Sequence, residues 1–265
     1  MKYGSAAQRR EAIMARLRGS GFIVASDIAH DLGVSEMTVR RDLRLLRESE
    51  GIQVVRGGAS LAARTGNGSF DARWNLGVEA KRLIAERACA WIDEGDAIAL
   101  DAGTTAYQLA RSLPAGFAGC VVTHSVPVLE VLLGRTNIRV IVLGGDLYRP
   151  SRAFAGPMTV EAASRLRVRT FFLGAAAIDQ RGVYVAADVE RSAKLKLMEV
   201  ADRVILLADH SKFGKSAPIL LCDFSRIEAL VTDGAVPDDL AVALAMQRVR
   251  VETVVAEAPT LSTQM

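Results

Sequence analysis

The chain is poor in cysteine: three in 265 residues, at Cys89, Cys120 and Cys222, far apart and each among apolar neighbours. That spacing argues against a disulfide framework or a metal knuckle and fits reduced thiols packed in a core. Long apolar runs are missing too. No stretch approaches the roughly 20 residues that span a bilayer, so no membrane partner is expected. Met1 to Arg10 carries charge and no apolar stretch, which does not read as a secretory signal. A cytoplasmic protein is the expectation. Neither an internal repeat nor an extended low-complexity segment is present, and nothing calls for a cofactor or a resident metal.

A large excess of one charge is also lacking, since the net charge is only +3. Its distribution says more. Residues 1–64 hold eleven Lys/Arg against seven Asp/Glu, a balance of +4, and the remainder holds twenty-two against twenty-three, a balance of −1. All of the positive excess lies in the first quarter, which points to an anionic partner there.

Three zones and a tail follow from the pattern: a helical segment closed by a hairpin over 1–62, a linker over 63–76, an α/β domain over 77–256, and a tail over 257–265. The linker reading rests on Gly and small polar residues at 63–72. In the third zone short apolar runs alternate with amphipathic stretches. The runs are Ala97–Asp101, Cys120–Thr123, Arg139–Gly144, Thr170–Ala175, Arg203–Ala208, Ala229–Thr232 and Val249–Val255. Stretches such as Thr105–Leu113, Val126–Leu133 and Asp188–Ala201 separate them. Continuous apolar strands between helices predict a Rossmann-like, mostly parallel sheet covered on both faces.

The first zone predicts a winged helix-turn-helix. Ile13, Met14 and Leu17 stripe a first helix over 7–18. Ser26 is the expected N-cap of a second helix, Asp27–Leu32, and Gly33-Val34 makes the corner. Ser35 then caps a third helix, Glu36–Glu48, whose Val39, Leu43 and Leu46 repeat at i, i+4 and i+7. Its opposite face carries Thr38, Arg41 and Arg44, with Arg40 and Arg47 at the margins. Hydroxyls near the N-terminus with arginines behind them suit the major groove of duplex DNA. Ile52–Val55 and Ala59–Leu61 pair as a wing around Arg56, a cation placed to meet backbone phosphate. An arginine-rich face is more often merely solvated. The ordered helix–corner–capped helix–wing succession is what favours DNA.

In the α/β zone several strands end in loops with anion-cradle chemistry: Asp101–Thr105, Thr123–Ser125, Leu143–Gly145, Leu173–Ala176 and Ala208–Lys212. A parallel sheet collects such loops on one edge. Gly103 lets backbone approach a phosphate, Thr104 and Thr105 open a helix, and Lys212 adds a point charge. Asp101 would accept a sugar hydroxyl or orient its loop.

Taken together, Arg10-Glu-Ala-Ile13, Ala29-His-Asp-Leu-Gly-Val-Ser35, Thr38-Val-Arg-Arg-Asp-Leu43 and Arg56-Gly-Gly-Ala59 resemble the DeoR family of bacterial transcription regulators. The likeness continues through Asn75–Arg82, Asp101–Thr105, Val122–Ser125, Leu143–Asp146, Phe172–Ala175 and Asp209–Gly214. It implies a sensor domain similar to ribose-phosphate isomerases that responds to a sugar phosphate. It adds Thr123, His124, Ser125, Gly144 and Gly145 to the effector candidates Asp101, Gly103, Thr104, Thr105 and Lys212. It also implies a double-stranded DNA operator, repression of carbohydrate-utilisation genes and a homo-oligomer, dimer or tetramer. Arg56 stands where the family usually has His, His124 where many members have Asn, and Ala176-Ala177 where they have Asp-Gly.

The alternative is an active sugar-phosphate isomerase with an appended DNA-binding domain. Such chemistry needs a placed carboxylate base. In the isomerases a Glu precedes the strand corresponding to Arg203–Ala208. Here Lys194 falls near that position, Glu190 one turn away, and Ala176 in what would be an acidic loop. Binding without turnover is therefore expected, with Glu190 and Lys194 either contacting ligand or solvated.

Overall fold

The computed structural model describes residues 6–20, 22–50, 52–55, 58–60, 69–215 and 217–254. The chain divides into two compact units, Met1–Arg64 and Thr65–Met265.

The first unit runs α1 (Ala6–Ser20), β1 (Phe22–Val24), α2 (Ala25–Leu32), α3 (Glu36–Glu50), β2 (Gln53–Val55) and β3 (Gly58–Ser60). Each helix contributes one apolar stripe to a shared core of Ile13, Leu17, Ile28, Leu32, Val39, Leu43 and Leu46. The wing is a three-stranded antiparallel sheet in the order β1-β3-β2. The strand β1 was not foreseen, and it displaces the expected cap. Val24 feeds directly into α2 with no side-chain cap, and Ala25 is already packed in the core. Ser26, expected at the N-cap, instead lies inside the helix and hydrogen-bonds Asp27. Ser35 does cap α3, accepting from the Thr38 amide at 3.2 Å.

The second unit opens with α4 (Phe70–Trp74) and α5 (Val78–Ala88). The stretch read as linker thus contains a helix whose Phe70 is fully buried. Small polar residues around it masked one aromatic anchor. The tail lies outside the described residues.

Seven parallel strands follow in the order β15-β14-β12-β9-β4-β5-β6. They are β4 (Ala97–Leu100), β5 (Cys120–Thr123), β6 (Arg139–Val142), β9 (Val168–Gly174), β12 (Ala201–Leu207), β14 (Ala229–Thr232) and β15 (Arg250–Thr253). Alternate side chains enter opposite layers. Phe171, Ala99 and Leu206 join Leu197 and Met198 of α9 (Asp188–Val200). Phe172, Leu100 and Leu207 join Ile84 of α5, Leu109 of α6 (Thr104–Ser112) and Val128 of α7 (Val126–Leu132). Both faces are covered, which is why the strands read as near-continuous apolar runs.

Periodicity did not reveal the antiparallel additions. These are the hairpin β7 (Asp146–Tyr148) and β8 (Ala153–Ala155), and the small sheet β10 (Ala177–Asp179), β11 (Gly182–Val185) and β13 (Ile219–Cys222). Two helices also escaped it, α8 (Pro157–Ser164) and α10 (Asp238–Met246). The three cysteines are free but only half-buried, and burial pushes the Cys222 thiol up to about 12.

Candidate functional site

From β4 the chain moves outward to β5 and β6. It then returns across the sheet to β9 and continues the other way to β12, β14 and β15. The loops leaving β4 and β9 therefore diverge, and a parallel sheet has its natural crevice at such a reversal. A cleft open to solvent lies there. Its wall is built from Ala102–Ala106 after β4, Gly174–Ala176 after β9, Glu190 and Lys194 of α9, and the side chains of Arg73 and Lys212.

The helix α6 starts in this wall. Its N-cap is Gly103, extended at φ 165°, with no side chain to cap the first-turn amides. Those amides and the positive end of the helix favour an anion at Thr104 and Thr105. Cations gather opposite. Burial pushes Lys212 down to about 8, and the nearby charges of Lys81, Arg73 and Lys215 lower it further against the pull of Asp209. Burial likewise lowers Arg73, with Glu190 and Asp101 opposing. Lys81, itself 3% exposed, donates to the carbonyl oxygens of Arg73 and Leu76 and so fixes the end of α4.

Asp101 is fully buried and does not line the cleft, but its partners Gly174 and Lys194 do. Its Oδ2 accepts from the Gly174 amide at 2.8 Å and from the Lys194 ammonium, and its Oδ1 faces His124 Nε2 at 3.2 Å. Burial alone would raise this carboxyl, but Lys194 and His124 outweigh it and hold it below the usual carboxylate range. Of the two roles left open for Asp101, the geometry fits the one that orients the loop. Lys194 is equally committed, so it is not a solvated side chain.

His124 is 2% exposed, and its Nδ1 meets the Phe154 carbonyl at 3.0 Å. It lines a second, narrow hollow with Tyr148, Ser151, Glu190 and Lys194, the last two shared with the cleft.

Besides Asp101 and His124, four more expected residues do not line the cleft. Thr123 is fully buried, and its hydroxyl donates to the Leu100 carbonyl while accepting the Ser125 amide. Ser125 caps α7 by accepting the Val128 amide at 3.4 Å. Gly144 offers its carbonyl to Thr159, and Gly145 turns at φ 148° where a Cβ would meet the Thr159 hydroxyl at 2.3 Å. These loops follow β5 and β6, one and two strands beyond the reversal. Sharing a sheet edge does not bring them to the crevice. Arg73 and Lys81 were missed because they precede the first strand of the sheet, where no strand-end argument reaches. Lys81 stands in the quoted Asn75–Arg82 run, which was the available signal.

In the first unit α3 presents Met37, Arg41 and Arg44 to solvent, with Thr38 half-buried beside them. Arg40 is drawn back onto its own helix by Glu36 at 2.6 Å. Among the described residues Arg41 and Arg44 have no ion-pair partner in the chain, which leaves them available to an outside anion. Arg56 lies outside the described residues. The sequence reading also missed Asp42, 3% exposed beneath this face and paired with Arg9 at 2.5 Å and Arg10 at 3.8 Å. A carboxylate three residues after Val39, on the buried stripe, was the visible sign.

A winged helix with an exposed basic third helix, followed by an α/β unit with a cationic cleft, defines a DNA-binding regulator. Residues 9–65 match the DeoR-like helix-turn-helix domain, and residues 77–234 match the DeoR C terminal sensor domain. The chain belongs to the DeoR family of transcription regulators. It is 32% identical to a putative aga operon transcriptional repressor of Escherichia coli O157:H7, over 88% of each chain. It is also 32% identical to the L-fucose operon activator of Haemophilus influenzae, over 88% of this chain and 94% of that one. Among solved structures, ribose 5 phosphate isomerase A from Neisseria gonorrhoeae aligns at 19% identity with a TM-score of 0.39, covering 53% of this chain and 55% of that one. Among the described residues no helix is long and apolar enough to cross a membrane, and no cluster of three His, Cys, Asp or Glu groups suits a metal ion.

Proposed function

We propose that this regulator represses carbohydrate-utilisation genes in the cytoplasm and leaves its operator when a phosphorylated sugar occupies the cleft. The observation that carries the reading is the meeting of Arg73 and Lys212 with the side-chain-free N-terminus of α6 in one crevice. A phosphate monoester, carrying close to two negative charges at neutral pH, suits that wall. Thr104, Thr105, Gly103 and Lys212 hold the phosphate, and Glu190 takes a sugar hydroxyl. Arg41, Arg44 and Thr38 read duplex DNA, with Arg56 on its backbone. The protein acts as a dimer or tetramer on paired half-sites. It binds its effector without turning it over: Asp101 is held in its buried ion pair, Ala175 and Ala176 bring no carboxylate, and Glu190, the acidic residue that does line the wall, is engaged by a sugar hydroxyl.

A thermal-shift panel of phosphorylated sugars beside their unphosphorylated forms tests this, since a ligand selective for the folded state raises its stability. At least one phosphorylated member should raise the melting temperature and weaken operator binding in a band-shift assay. A panel with no response, or equal response to free sugars, would remove the sensor reading. Effector that strengthens operator binding would reverse the sign to activation.

A further inference from the structure

Among the residues lining the cleft, Arg73 precedes the first strand of the parallel sheet. Arg73 lies on the short helix α4, the first described element of the second unit. Its side chain lines the cleft, yet its Nε is buried and has no hydrogen-bond partner among the described residues. A buried guanidinium N–H without an acceptor is costly, and an oxyanion in the cleft is the partner its chemistry fits.

What α4 rests on gives this position its meaning. Phe70 is fully buried, and Trp74 and Phe70 pack on Tyr107 of α6 with ring centroids 4.5 and 6.4 Å away. Asp71 pairs with Arg152 at 2.6 Å, next to Ser151 of the second hollow. Lys81 holds the carbonyl end of α4. The helix is thus tied to α6, whose N-terminus is in the wall, and to the loop behind the second hollow. In chain order it begins at residue 70, only a few residues after the first unit ends at Arg64.

We infer that Arg73 binds the anionic group of the effector and that α4 passes occupancy of the cleft to the chain segment leading to the winged helix. This rests on the sugar-phosphate reading above and adds the route by which that site controls DNA release. Arg73 is a ligand residue and a coupling residue at once, whereas Lys212, from the far side of the sequence, supplies affinity alone.

The two roles separate in a pair of variants of the full chain, with inorganic phosphate and glucose 6-phosphate as probes. Trp74 is a built-in reporter, read in a Trp91→Phe background so that it is the remaining tryptophan. In the parent, either probe should change Trp74 emission and lower operator affinity. Arg73→Gln should lose about tenfold in probe affinity, and fail to release DNA or shift Trp74 even at saturation. Lys212→Gln should lose a similar factor in affinity but still release DNA once saturated. Full release by saturated Arg73→Gln, or unchanged probe affinity in it, overturns the inference while leaving the sensor reading intact. A parent that responds to neither probe in melting or in emission, nor to any member of the panel, removes both.

Discussion

Lys194, midway along α9, reaches across 93 residues of sequence to form a buried ion pair with Asp101 at the end of β4. The contact joins a helix of one layer to the strand at which the sheet reverses direction. It also limits what Asp101 can do. A carboxylate that already accepts from an ammonium, an amide and an imidazole has little capacity left to take a proton from a ligand. Lys194, committed to that carboxylate and near the Gly174 carbonyl at 3.4 Å, supports the Gly174 loop while the cations of the wall meet the anion.

Truncating one partner therefore strands a buried charge. Lys194→Met should destabilise the second unit by about 3–5 kcal/mol, the usual cost of breaking a buried pair from one side. Asp101→Asn with Lys194→Met should recover part of that loss. Calorimetric or denaturant unfolding of the two variants measures it. If the single variant unfolds like the parent, the buried pair does not stabilise the second unit.

Much of this framework was legible from residue order, because apolar runs of strand length between helices admit few arrangements. Cys120–Thr123 and Ala229–Thr232 were placed to the residue. The strand order was not legible. Nothing local to Thr123 or Gly144 says that β5 and β6 lie beyond β4 rather than beside β9, so loops equal in composition were assigned equal access to ligand. The same limit hid Arg73. Its partners Glu190 and Lys81 lie on different helices, and the residues around it look like linker. In the first unit the buried stripe and the exposed arginines were both readable. The strand β1 was not, since three residues carry no period.

Gly103 offers a sharper test of ligand approach than any charged residue. A Cβ added there meets nothing within 4 Å, and its extended backbone is open to any residue. Gly103→Val should leave the unliganded melting temperature within about 1–2 °C of the parent, since nothing packed is disturbed. It should nonetheless abolish the thermal shift given by a phosphorylated effector, because the new side chain stands where backbone meets the anion. A variant that still binds would place the phosphate elsewhere.

On the DNA side, Arg41 and Asp42 are neighbours with opposite duties. Arg41 is exposed and Asp42 is buried against Arg9. Arg41→Ala should cost about 1–3 kcal/mol of operator binding with no change in melting temperature. Asp42→Ala should lower the stability of the first unit by about 1–3 kcal/mol, leaving its arginine partners without their acceptor. Operator titration alongside thermal unfolding separates the two. Equal loss of stability in both variants would contradict the assignment.

Lys212 makes both stability and ligand affinity depend on pH. Its ammonium is held down at about 8 by burial and by Lys81, Arg73 and Lys215. That is below the ordinary lysine value, so the unfolded chain keeps the proton to higher pH than the folded one. Between these two values the unliganded unit therefore gains stability as pH rises. Ligand affinity moves the other way. A phosphate monoester has released its second proton near pH 6, so above neutrality the variable charge belongs to the protein. Affinity for the phosphorylated effector should be level near pH 7 and fall above about pH 8, by up to tenfold per unit, as the complex must take up a proton. Lys212→Arg remains charged throughout and should flatten the fall. Calorimetric titrations of both proteins across that range decide it: parallel profiles would mean that Lys212 does not meet the anion.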